Sequence, residues 1–249
     1  LEKIASKTRN FSSLNNSIFP VMFESIFYVL LLIILIVISL GLHRAGAQWL
    51  PLWIGAAVWL VYAGTLAHFG VFRDFSAPPK IPLLLVLPAF AFIFWFFKTG
   101  RHRPLLHAVP RWQPVAFQSF RIVVEFLILG IAMLGLGSKE PTMEGYNFDI
   151  ISGVTAPLVV LLAFRWKVLP EKWVFWWNIM GLFWLANVVF IFISLGVAPQ
   201  LWGYQQPPIS PEFGEMPYLL IPGIYMPCAV FMHVFSLAQG RTASRGNSA

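Results

Sequence analysis

Long apolar runs dominate the chain, with little two-residue alternation. Seven stretches, about 19–42, 49–70, 81–98, 115–137, 149–166, 173–197 and 217–239, carry almost no charge. As helices rising about 1.5 Å per residue, runs of this length cross roughly 30 Å of hydrocarbon. They are about twice as long as a tilted barrel strand needs, so helices are expected and strands are not. The expected fold is all-α: a polytopic membrane bundle of seven transmembrane helices over 19–240. Residues 1–18 are polar and read as an N-terminal tail; because the first methionine is Met22, they are either a genuine tail or translated upstream sequence. Residues 241–249 read as a C-terminal tail on the cytoplasmic side.

Composition sharpens this picture. Hydrophobic residues make up 58% of the chain and charged residues 11%, against about 45–50% and about 25% in soluble domains. A soluble globule could not bury so much apolar surface, which excludes water-soluble enzymes, nucleic-acid modules and disordered chains. The formal charge of +7 then reads as a topology signal and not as a nucleic-acid footprint. Bases fall after the third run (Lys98, Arg101, Arg103, Arg111), after the fifth (Arg165, Lys167, Lys172) and in the tail (Arg241, Arg245). Acids fall after the fourth (Glu140, Glu144, Asp149) and the sixth (Glu212, Glu215). By the positive-inside rule the N-terminus is outside and the C-terminus inside. The expected partners are the lipid bilayer, a small molecule or proton as ligand, and other membrane proteins or a second copy. Cys228 is a single cysteine, which excludes an intrachain disulfide and a thiolate metal cluster.

Ionisable groups inside a span cost roughly 2.5–3.5 kcal/mol on insertion scales, so they point to function. Gln118, Arg121 and Glu125 stand at i, i+3 and i+7 on one face of the fourth run, where Arg121 and Glu125 can pair. By residue count, Asn178 and His233 lie at a similar depth. The five residues form either a polar lock that fixes helix packing or a site for a ligand, proton or substrate. A second cluster is expected on the outer face: Glu144, Asn147 and Asp149, as caps of the fifth helix or as a cation or polar-ligand site with Glu24, His68, Arg73 or Asp74. His68 and His233 lie at opposite depths and cannot share a haem. No HExxH motif is present and the seventh run has no lysine for retinal, so neither metal nor cofactor is expected. Pro157, Pro222 and Pro227 interrupt their helices and free carbonyls. Ala198–Met216 reads as an irregular outer loop or lid.

Three segments, QSFRIVVE (118–125), EGYNFDIISGVTAP (144–157) and PGIYMPCAVFMHVFSL (222–237), together resemble an uncharacterised family of small multispanning bacterial inner-membrane proteins. The resemblance covers about residues 115–240 and implies a bacterial cytoplasmic membrane location without an assigned activity. The functional expectation is a protein, more a binder or carrier than an enzyme, that binds or moves a small solute or proton. The alternatives are a lipid- or isoprenoid-acting enzyme, with Glu125 or His233 as general base, and a non-catalytic subunit or assembly factor.

Overall fold

A computed structural model describes residues 2–75, 78–101 and 103–246, with side chains for 20–75, 78–101 and 103–241. The side chains of the N-terminal tail and residues 247–249 lie outside the described residues. All seven apolar runs are helical, and no strand occurs among the described residues. We label the helices α1 (Glu2–Arg44), α2 (Leu50–His68), α3 (Pro82–Lys98), α4 (Trp112–Met133), α5 (Ile150–Arg165), α6 (Glu171–Val197) and α7, formed by Ile221–Tyr225 and Met226–Gly246. A short helix, Arg103–Ala108, precedes α4. Helix α1 thus already begins at Glu2, within the segment read as a polar tail.

Five of these helices, α1 from Pro20, α2, α4, α6 and α7, are long and apolar enough to cross a membrane. Helices α3 and α5 are shorter, so the expectation of seven full-length spans is met by five. Helix α5 joins 10 α-helical to 6 π-helical residues, at most about 24 Å of rise. It also starts deep in the bundle, with Gly153 against Ile122 and the Arg121 Cβ. The preceding segment, 134–149, folds back against α4 and α6, burying some of its side chains and leaving others, such as Glu144, exposed. Its Thr142, Asn147 and Asp149 are buried, and the Tyr146 carbonyl accepts from Asn187 Nδ2 of α6 at 2.8 Å.

Glycine and proline explain the helix ends and bends. Helix α4 stops because Gly135 takes φ +75° and turns the chain into a cap, with Leu136 N–H on the Ile131 carbonyl. Pro227 has no N–H to give the Gly223 carbonyl four residues back; Trp59 Nε1 of α2 supplies it at 2.9 Å. Pro88 likewise leaves the Leu84 carbonyl, which accepts from the Tyr62 hydroxyl at 3.1 Å.

The main core joins α1, α4 and α7. Phe23, Phe27, Leu30, Leu31, Ile34 and Leu35 recur on one face of α1 and pack on Val124, Leu127, Ile128, Ile131 and Tyr225. Helices α4 and α5 form the most extensive helix pair. The outer surface is strongly apolar, with Val61 69% and Phe94 66% exposed, while the charged Arg121, Glu125 and Asp149 lie buried inside. That inversion of a soluble protein suits lipid.

Candidate functional site

Glu125, Asn147, Asp149, Arg121, His233, Asn178 and Ser236, all buried, form one continuous hydrogen-bonded chain across α4, the segment before α5, α6 and α7. At its centre is Arg121, 2% exposed. Its Nε donates to Asp149 Oδ2 at 2.7 Å, and its Nη2 is ion-paired with Asp149 Oδ1, a bidentate fork. Its Nη1 lies 2.9 Å from His233 Nε2. A guanidinium has only donors, so Nε2 accepts and the imidazole proton sits on Nδ1. Nδ1 donates to Asn178 Oδ1 at 2.9 Å. Asn178 Nδ2 in turn donates to the Val174 carbonyl at 2.8 Å and to Ser236 Oγ at 3.0 Å.

On the other side of Arg121, Asp149 N–H donates to Asn147 Oδ1 at 2.8 Å. Asn147 Nδ2 donates to Glu125 Oε2 at 2.7 Å and to the Pro141 carbonyl at 2.9 Å. The Asp149 carboxylate makes no cap bond to α5, because both its oxygens face Arg121. The pairing expected between Arg121 and Glu125 is therefore replaced: Arg121 takes Asp149, and Glu125 takes Asn147. Depth counting on straight helices places Asp149 at the surface; the short α5 and the infolded 134–149 segment carry it down to Arg121.

The His233 ring is held on its faces as well. Trp177 stands with ring centroids 5.4 Å apart, itself fixed by Nε1 donating to Thr155 Oγ1 at 2.9 Å. A Cβ on Gly181 would overlap the imidazole, so glycine lets α6 approach α7 here. Gln118 donates through Nε2 to the Ala229 carbonyl at 3.0 Å and joins α4 to α7 without touching the chain.

The remaining outer-cluster residues do not converge. Glu144 is exposed. His68 is exposed and edges onto Phe69. Glu24 accepts from the Tyr218 hydroxyl at 3.1 Å. Arg73 pairs with Glu215, and Lys80 with Asp74. The 198–216 connection covers the infolded segment. Tyr204 donates to Glu140 Oε1 at 2.9 Å, Trp202 packs on Tyr146, and Ser210 N–H reaches the Leu136 carbonyl at 3.0 Å.

The polar chain ends at a cavity of about 230 Å³ among α5, α6 and α7. Asn178, Ser236 and Gln239 supply polar lining; Arg111, Glu171, Lys172 and Arg241 supply charge. Ser236 and Gln239 escape sequence reading because uncharged polar residues near a helix end carry no distinctive signal. The spacing of Ser236 three residues after His233, on the same helix face, could have flagged it.

The family profile DUF8737, a domain of unknown function, matches residues 78–239, more than half of the chain. The chain belongs to this family. That agrees with the uncharacterised family expected from the three resembling segments. The DUF8737 region takes in the whole polar chain, from Arg121 to Ser236, and leaves out α1 and α2. No curated protein and no solved structure matches the chain.

Proposed function

We propose that this DUF8737 protein is a seven-span protein of a bacterial inner membrane, N-terminus outside and C-terminus inside, that binds a small polar solute in the cavity among α5, α6 and α7. The observation that carries the reading is the junction at Asn178 and Ser236, where a buried charge network meets an open volume. The network positions those two side chains, and the cavity gives a solute room beside them.

The same geometry argues against a proton wire. A guanidinium does not release its proton, and the Asn147 amide interrupts the path between Glu125 and Asp149. A general-base role for His233 is also disfavoured, since Arg121 and Asn178 occupy both ring nitrogens. One observation favours a second reading as a packing lock in a non-catalytic subunit: each linked side chain from Glu125 to Asn178 is held by named partners. The lock and the binding site coexist if the first builds the second.

Gly240 provides the test, because a Cβ there meets open space beside the cavity. In a Cys228→Ala background, Gly240→Cys should react with a membrane-impermeant maleimide in inside-out vesicles and not in right-side-out vesicles. Labelling from the outside, or none from either side, would overturn the reading.

A further inference from the structure

We infer that the cavity holds the head group of a membrane phospholipid, a phosphodiester carrying a hydroxyl or ammonium donor. This rests on the solute-binding reading above and names its ligand class.

Charge is the first support. The lining carries Arg111, Lys172 and Arg241 against one carboxylate, Glu171, whose Oε1 is already 2.5 Å from Arg111 Nη1. Lys172 lies in the first turn of α6, where no side chain caps the backbone N–H groups. Helix N-termini of this kind favour phosphate.

The second support is independent of charge. Gln239, 3% exposed, donates Nε2 to the Leu106 and Val109 carbonyls at 3.2 and 2.7 Å. Those two acceptors fix the orientation of the amide. Its Oε1 is then a buried acceptor with no partner among the described residues, and a buried acceptor calls for a donor. Inorganic phosphate is chiefly an acceptor, whereas a head-group hydroxyl or ammonium supplies N–H or O–H. Ser236 accepts from Asn178 and still has a proton to donate to a phosphate oxygen.

Size and access select the lipid. About 230 Å³ is below the roughly 300–1,000 Å³ of drug-sized ligand pockets, enough for a head group without its acyl chains. Phe175 both lines the cavity and is 39% exposed, beside the exposed Trp176. The cavity wall therefore continues onto the apolar outer face of α6, where acyl chains would lie.

The test uses the full chain in detergent with dihexanoyl phosphatidylglycerol, dihexanoyl phosphatidylcholine and glycerol 3-phosphate, with affinities read by native mass spectrometry. Phosphatidylglycerol should bind. Phosphatidylcholine, whose quaternary ammonium has no N–H, should bind roughly tenfold more weakly, and Lys172→Gln should weaken phosphatidylglycerol by a similar factor. Lys172 is exposed, so the variant's lipid-free melting temperature should match the wild type. Equal affinity for the two lipids, or no effect of Lys172→Gln, overturns the assignment. Glycerol 3-phosphate binding as tightly as phosphatidylglycerol replaces the lipid with a soluble phosphate ester and leaves the solute reading standing. If no probe binds while Gly240→Cys is still labelled from the cytoplasmic side, the head-group assignment alone fails. A Gly240→Cys that no reagent reaches removes both.

Discussion

At the scale of single residues, the interaction between Arg121 and Asp149 dominates. Removing one partner of a buried ion pair leaves an uncompensated charge and costs about 3–5 kcal/mol, while replacing both by apolar groups of similar volume is often near neutral. Asp149→Asn and Arg121→Met should each lower the melting temperature of the detergent-solubilised protein sharply. The Arg121→Met/Asp149→Leu double variant should recover most of the loss. Additive losses in the cycle would show that the two side chains do not act as a pair. In the sequence, Arg121, Glu125, Asn178 and His233 were legible as a converging group because intramembrane polar residues are rare and depth follows from residue count. Asp149 was not legible as their partner. Its place depends on a tertiary event, the folding back of 134–149, that no local pattern encodes; its N-terminal position on a helix gives a sufficient local reason for an aspartate.

At the scale of helices, proline defects and aromatic donors are matched. Pro227 strands the Gly223 carbonyl and Trp59 satisfies it; Pro88 strands the Leu84 carbonyl and Tyr62 satisfies it. Both donors sit on α2, so α2 docks to α3 and α7 through the very groups their prolines leave open. Pro227 was legible in the sequence as a helix break but Pro88 was not, and neither was the place where a freed carbonyl would be used: these carbonyls serve packing and do not line the cavity. Trp59→Phe keeps most of the apolar area and removes the N–H, leaving a buried carbonyl unpaired at about 1–3 kcal/mol. Its melting temperature should fall, and Trp53→Phe offers a control, since Trp53 donates only to the Ser39 hydroxyl, a group able to turn to its own backbone. Equal effects of the two substitutions would deny the carbonyl a special role.

At the scale of the whole molecule, the paths of the two short helices, α3 and α5, set the number of crossings. The seven apolar runs were legible because apolar composition alone marks them, and the helix Ile150–Arg165 follows its run, 149–166, to within one residue at each end; the infolding of 134–149 before it was not legible, since its polar composition reads as a surface loop. Contacts between the ends bear on that number. Arg111, before α4, pairs with Glu171 at the start of α6, and Gln239 near the end of α7 holds the Leu106 and Val109 carbonyls. The start of α4, the start of α6 and the end of α7 therefore share one end of the bundle. Helix α4 leaves that end, so α5 must return to it. Similarly, Pro82–Val86 of α3 packs beside Ile221–Tyr225 at the start of α7, while α3 leads toward Arg111 at the other end. A five-span chain with the same N-out start and C-in finish would put the Lys98–Arg111 bases outside, and a seven-span chain puts them inside with Lys167. Alkaline-phosphatase fusions separate the two: after Lys167 and Ala249 both arrangements give an inactive enzyme, and after Gly203 both give an active one. After Gly100 the seven-span chain gives an inactive phosphatase. An active one at that position would remove α3 and α5 as crossings and, with them, the cytoplasmic position of the bases before α4.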